Sequence, residues 1–552
     1  MKYLVFLLLV LSLGFSAVVV VNSQDGRDLV SATYYSINSG DRLVFVPPEY
    51  SDAVVYGKVG WNDEVILIQS ANNPIIVGMK NELENRGNTV QLISSEEPYA
   101  TNRLLAERSG ARKFILVDPV YGYNTVSAVA YAKQNSMYLL FVDKEQKDAV
   151  ISFLSGKSPQ DILLYGYVDR EVKDALDSAG LSYREINTGD KFDDNMQLVD
   201  LYFQQNPSKK QVILSDGNAF EDTITAGDDP LVLISPVIST SVFNYMKDKV
   251  SSGQISVGMV VDKEYAQTAY DLKESINQQL GEEKLHVLVK FGQNVPAAGS
   301  GLFPVDLFPV RAPIIGLNII GAEYNTLSRE LEITYENTGN APEYVKSRII
   351  VFVDGVSVGI LGDEEPFAVG RGEKFGKGYP IEIENGAIIT NVTAMYGSSR
   401  KSTENGVVAI LNAGRVEFVD RSSLEISGFT HDKETNDLLV TFANNGSSKA
   451  YFRADANLNI SGMATRIEDE NFYEVEPGEA KIVKFPGVMQ GASGAIAGAD
   501  YGSREAFLGN RIEKEYVPQS AADYTLIFAG IVILLLLVIA YFVWDKMKAK
   551  KK

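Results

Sequence analysis

The sequence predicts a multidomain α/β plus all-β protein: three tandem α/β units with parallel sheets, two β-sandwiches and one C-terminal transmembrane helix. Three observations predict it. A five-residue phrase recurs as Asp28-Leu29-Val30-Ser31-Ala32, Asn124-Thr125-Val126-Ser127-Ala128 and Asp222-Thr223-Ile224-Thr225-Ala226, 96 and then 98 residues apart. A second, unrelated repeat carries Ile333-Thr334-Tyr335-Glu336-Asn337-Thr338-Gly339 onto Val440-Thr441-Phe442-Ala443-Asn444-Asn445-Gly446, 107 residues on. Near the carboxyl end, Tyr524 to Trp544 runs for 21 residues without a charge.

The chain opens with a basic Met1-Lys2, an apolar Tyr3 to Leu13 and small residues at Gly14-Phe15-Ser16, the pattern of a signal peptide over residues 1–16. The apolar run to Val21 also reads as an uncleaved anchor. Val18 to Val21, however, aligns with Phe114 to Val117 and Val212 to Ser215, so cleavage before this first strand is the economical reading.

Residues 17–291 then hold the three α/β units. In each, the strand runs through a polar loop into the repeated phrase, where Asp28, Asn124 and Asp222 read as N-caps whose oxygens accept from the free amides of a starting helix. Second strands follow at Leu43 to Val46, Leu139 to Val142 and Leu231 to Ile234, and third strands at Val65 to Ile68, Ile162 to Tyr165 and Val257 to Val261. Helices come next around Met79 to Leu83, Val172 to Leu176 and Ala269 to Leu272. Short apolar strands alternating with helices mean a parallel sheet covered on both faces.

Asn187-Thr188-Gly189-Asp190-Lys191-Phe192-Asp193-Asp194, followed by the strand Gln211 to Ser215 and by Phe220-Glu221-Asp222-Thr223-Ile224-Thr225-Ala226-Gly227, resembles the cell wall-binding repeat type 2 family. The third unit carries the pattern well. The second has Glu97-Pro98-Tyr99-Ala100 in place of the opening turn, and the first lacks that turn. The resemblance covers about half the chain. It implies a pseudo-threefold α/β head that attaches to, or builds, a prokaryotic cell envelope, with anionic wall polymer as the material bound. The architecture as a whole resembles surface-layer proteins of archaeal type, acidic and membrane-anchored.

Residues 292–315, with Pro296, Gly299, Gly301, Pro304, Pro309 and Pro313, read as a turn-rich connector. Beyond it, residues 316–412 and 413–517 are tandem copies, with Gly372-Glu373 matched by Gly478-Glu479 and Tyr396-Gly397-Ser398 by Tyr501-Gly502-Ser503. Alternating strands such as Leu331 to Tyr335 between glycine turns signal two-sheet sandwiches. Two in series resemble the immunoglobulin-like stalks of surface proteins, which would hold the head away from a membrane. All three Asn-x-Ser/Thr sequons, at Asn391, Asn445 and Asn459, fall here and are candidate glycosylation sites. Residues 524–544 have the length of a bilayer-spanning helix, and the lysine-rich 545–552 after them fit a cytoplasmic tail. The expectation is a single-pass cell-membrane protein with its amino-terminal region outside.

Composition narrows the chemistry. A net charge of −20 repels nucleic acid, and the absence of cysteine excludes disulfides and thiol catalysis. Two distant histidines, His286 and His431, make no zinc site. No cofactor is expected. Calcium is the ion that carboxylate and carbonyl ligands leave open, although Asp193-Asp194, Asp228-Asp229 and Asp363-Glu364-Glu365 lack the spacing of a calcium loop. Asp28, Asn124 and Asp222 at helix starts, with Asp118 and Asp216 at strand ends, lie where α/β folds hold ligands. No base, nucleophile elbow or phosphate loop accompanies them, so no catalytic residue is assigned.

The expectation is therefore a non-enzymatic, surface-layer-like envelope protein. Its partners are other copies of itself or an envelope polymer, with the stalk setting the height of the head. The alternative is a membrane-anchored receptor or solute-binding protein, which a deep cleft between two lobes would favour. An envelope hydrolase would need a pocket joining Asp118 or Asp216 to a second acid.

Overall fold

The computed structural model describes residues 17–517, apart from 48–51, 262, 295–301, 402, 404, 434, 461–462, 470, 486–488, 490–491 and 505–506. Three four-stranded sheets, all parallel, occupy the first half. In unit 1, Val18–Asn22 pairs on one side with Arg42–Phe45 and on the other with Glu64–Ser70, which in turn pairs with Thr89–Ser95. The same order, second-first-third-fourth, recurs in unit 2 (Lys113–Val117, Tyr138–Phe141, Asp161–Tyr165, Arg184–Ile186) and unit 3 (Gln211–Ser215, Leu231–Leu233, Val257–Val260, His286–Val289). Apart from Lys113 and the polar residues at their ends, the first strands are apolar and buried, as strands covered by helices on both faces must be.

The units share one core. A single buried cluster runs from Val19 and Leu29 of unit 1 through Phe114 and Leu140 of unit 2 to Val212 and Ile276 of unit 3. Two helices stitch it together. Pro98–Ser109 leaves unit 1 and lies between that unit's helix Gly26–Ser39 and the second strand of unit 2, while Lys191–Gln205 does the same between units 2 and 3. Each carries a buried asparagine that acts as an extra strand edge. Asn102 donates to Leu139 O (3.0 Å) and accepts from Phe141 N (3.1 Å); Asn195 donates to Leu231 O (2.9 Å) and accepts from Leu233 N (2.8 Å). Edge strands expose unpaired amides and carbonyls, and these side chains satisfy them.

The second half is β. In the first sandwich, Asn405–Val416 joins the two sheets, pairing antiparallel with Ile388–Gly397 and parallel with Leu317–Asn325. The second sandwich sets Leu424–Asp432, Asp437–Asn444 and Ala480–Phe485 against Ala450–Ile460, Ala492–Gly502 and their neighbours.

Three expectations are corrected. Among the described residues no helix is long and apolar enough to cross a membrane, so the structure does not bear out the transmembrane helix of the expected fold class or the single-pass membrane placement. Tyr524–Trp544, the basic tail and the signal segment 1–16 lie outside the described residues.

The sandwiches are also not a serial stalk beneath the head, because both pack against unit 2. Ser399 of the first donates to Asp190 (2.5 Å), Lys484 of the second pairs with Asp177 (2.9 Å), and Arg170 stacks 4.3 Å over the Tyr473 ring. The sandwiches hold each other through Arg504 with Glu332 and Glu323, and through Arg453 with Glu373 and Ala368 O.

The connector, finally, is structured. Gly292–Asn294 pairs with Leu302–Pro304, and Phe308–Pro309 pairs with Ala219–Phe220 of unit 3.

Candidate functional site

The carboxyl ends of the parallel strands place the predicted residues, but not as N-caps. The helix of unit 1 is capped by Asp25, which accepts from Arg27 N at 3.0 Å. Asp28 sits inside the first turn, buried, accepting from Ser23 Oγ (2.6 Å) and Ser95 Oγ (2.7 Å). Burial pushes its carboxyl above the usual range against those two hydroxyls. In unit 3 the cap is Glu221, which accepts from Thr223 N. Asp222, next along, pairs with Lys58 of unit 1 (3.0 Å), and Lys58 also holds Asp306 of the connector (2.7 Å). The sequence placed the caps one to three residues late because the repeated phrase marks the first buried turn, where small side chains face the core.

In unit 2, Tyr121 precedes the helix Gly122–Ser127 and Asn124 lies within it. Asn124 is buried, and its Oδ1 has no hydrogen-bond partner among the described residues. It lines a hollow of about 20 Å³ with Tyr121, Tyr123, Asp190, Asp194 and Tyr344, room for about one water. Asp194 accepts from Thr188 N (2.6 Å), and full burial pushes its carboxyl up to about 7.

Asp118 is 1% exposed and accepts from Val120 N at 2.9 Å. Two acids that sequence reading passed over are near enough to act on it: Asp143 and Asp169, from the ends of the second and third strands. Burial first, then the charges of Asp169 and Asp143, push Asp118 up to about 7, and Arg371 of the first sandwich opposes them. Arg371 reaches Asp169 at 3.4 Å, Tyr99 donates to Asp143 at 2.5 Å, and Lys144 N donates to Asp169 at 3.0 Å. A signal for this cluster was present, since Val117-Asp118, Val142-Asp143 and Val168-Asp169 repeat one dipeptide where each strand ends. Asp216 holds the equivalent place in unit 3 but is only half-buried, accepting from Asn218 N (2.9 Å) and Tyr265 OH (2.9 Å). The five predicted residues thus do not meet at one point. Among the described residues no group of three His, Cys, Asp or Glu side chains is placed to hold a metal.

The connector roofs these ends. Pro309 O lies 3.1 Å from where a β-carbon on Gly26 of unit 1 would stand, and Arg311 O accepts from Gly122 N of unit 2 at 3.0 Å. Val310 N donates to Asn218 O of unit 3 at 2.9 Å, and Phe308 packs edge-on to Phe45 of unit 1.

The sequons differ in setting. Asn445 is exposed in a turn, donating to Glu425 at 2.6 Å. Asn391 lies mid-strand, paired with Ile350 on one side and Ile410 on the other. Asn459 lies near the end of the strand Ala450–Ile460.

Neither the family models nor the curated proteins give a match to this chain. Among solved structures it is similar to Cwp8 from Clostridium difficile, with 12% identity over 49% of this chain and 48% of that one and a TM-score of 0.39. It is also similar to Cwp6 from the same bacterium, with 14% identity over 50% and 42% and a TM-score of 0.35. The chain therefore spans less than half the length of either. Likeness of this degree bears on neither partner nor substrate, and a bacterial source gives no support to an archaeal type.

Proposed function

We propose that this chain is a non-enzymatic structural protein of a cell envelope, surface-layer-like, whose head and sandwiches work as one building block that joins other copies or an envelope polymer. One observation supports this above others: at the strand ends, where α/β folds hold ligands, the chain lays its own connector and its first sandwich. The contacts of Pro309, Val310 and Arg311 with all three units tie the head into a fixed body. A solute-binding receptor would have to break them to open. Because a chain of −20 repels its copies, divalent cations are expected to bridge them.

The test is negative-stain electron microscopy of the purified chain with and without millimolar calcium. Ordered sheets or closed rings are expected. Particles that stay monomeric at every concentration and calcium level overturn the reading, and arrays indifferent to chelator remove the cation bridge from it.

A further inference from the structure

The two sandwiches are copies, so their outer faces can be compared position by position. In the first, one row across four strands reads Ile360, Ile350, Asn391, Ile410, each hydrogen-bonded to the next through the ladder. The equivalent row of the second reads Arg466, Asn457, Ile496, Glu515. One row along, Val408 stands where the second sandwich has Glu513, and in the row after it Met395 stands where that sandwich has Asp500. The apolar substitutions lie toward the strands that carry Ile360, Asn391 and Ile410, because the later rows start on Glu343–Val353 with the exposed Arg348 and Lys346, opposite Thr393 and Met395. Ile410 is 73% exposed, Val408 64% and Ile360 60%, whereas Glu513 and Glu515 give the other copy an ordinary charged surface.

The row ends on an edge. Val356–Gly362 closes the sheet, and its sequence, VSVGILG, contains none of the charges or prolines that keep edge strands from pairing. We propose that this outer face of the first sandwich is a self-association surface that receives the same face of a second copy.

Charge selects the occupant. Two molecules of −20 repel over most of their surfaces, and this face lets them approach without setting carboxylates together, since the charges in its rows are the cations Arg348 and Lys346. Area sets the strength. Four strands about 4.8 Å apart by seven residues of about 3.3 Å give roughly 400 Å² of flat surface per copy, about half of the ~800 Å² that each partner of a standard stable complex buries. The contact is therefore weak singly and suited to repetition. A glycan on Asn391, at the centre of the row, is the competing cover. The asparagine sits in a central strand bonded on both sides, and its Oδ1 is buried without a partner among the described residues, which favours the protein partner.

The chain has no cysteine, so one introduced thiol reports one contact. Ile410→Cys and its register-equivalent Glu515→Cys are placed singly in the full chain and oxidised. The expected result is about tenfold more disulfide-linked dimer from Ile410→Cys, a difference of about 1.4 kcal/mol, lost when Ile360→Lys and Val408→Lys are added. Equal yields from the two sites, or none from Ile410→Cys, overturn the inference. So does a glycan mass on the Asn391 peptide.

The inference rests on the reading that copies of the chain meet, yet the two fail separately. Ordered arrays that survive Ile360→Lys with Val408→Lys sink this face and spare the scaffold. Selective cross-linking without arrays does the reverse.

Discussion

Units 2 and 3 of the head begin alike, and Asp118 and Asp216 stand at the same place in each, yet they live in different solvents. Asp118 is shut in between two other carboxyls and the Arg371 guanidinium of the first sandwich, and burial holds its proton up to about pH 7. Asp216 is half-exposed, bonded to Asn218 and Tyr265 of its own unit. The repeat supplies the carboxylate, and what the chain later lays over it decides its chemistry. A motif at a strand end is thus no guide to function until its cover is known.

The comparison can be broken first at the roof. Gly122→Ala would set a β-carbon 2.3 Å from Arg311 O, and overpacking against backbone is expected to cost about 3 kcal/mol. Gly26→Ala in unit 1, with 3.1 Å to spare, should cost about 1 kcal/mol. Denaturant midpoints that agree between the two would mean the connector does not brace the units unequally. Next come the asparagine hooks. Asn102→Leu and Asn195→Leu each strand a buried amide and carbonyl and should lose about 2 kcal/mol; a loss under about 0.5 kcal/mol in both would deny them a structural role.

Asp118→Asn sharpens the contrast. The folded carboxyl titrates near 7 against an ordinary 3.8, so the folded state keeps a proton that the unfolded chain has already released between those values. Its contribution is most favourable below about pH 4 and is lost as the pH rises through 7. The amide should therefore stabilise the protein at pH 8 by at least about 1 kcal/mol and flatten the pH dependence between 4 and 7, while Asp216→Asn, which disturbs the hydrogen bonds its carboxylate accepts from Asn218 and Tyr265, brings no such gain. Matching melting curves of the two variants at pH 8 would erase the distinction. Smallest is Asp222→Ala: its carboxylate is 42% exposed and Lys58 keeps Asp306, so the expected loss is about 0.5 kcal/mol.

Much of the fold was legible. Strands such as Val18–Asn22 and Lys113–Val117 announce themselves because they are buried on both faces, and spacing exposed both repeats. The caps were displaced because Asp28 and Asn124 carry cap-type side chains but face inward, and a sequence shows residue type before direction. Asp143 and Asp169 went unread since each lies roughly 25 residues from its neighbour and only the parallel register gathers them. Arg371, some 200 residues away, could not be placed beside Asp169 without the packing of a sandwich on a helix start. The divergence of the two sandwich faces was visible in principle, because strand register converts the 105-residue spacing of Tyr396 and Tyr501 into a position-by-position comparison.

The asparagine hooks also give the head a direction in time. Helix Pro98–Ser109 leaves the ribosome before the strand Tyr138–Phe141 that Asn102 will grip, and Lys191–Gln205 before Leu231–Leu233. Each finished unit thus offers the nascent chain a template for the next, in the order that domains fold during synthesis. The third unit is followed by the hairpin Gly292–Asn294 and Leu302–Pro304 instead of a hook-bearing helix. Growth by this device has nowhere to continue, and the head stops counting at three.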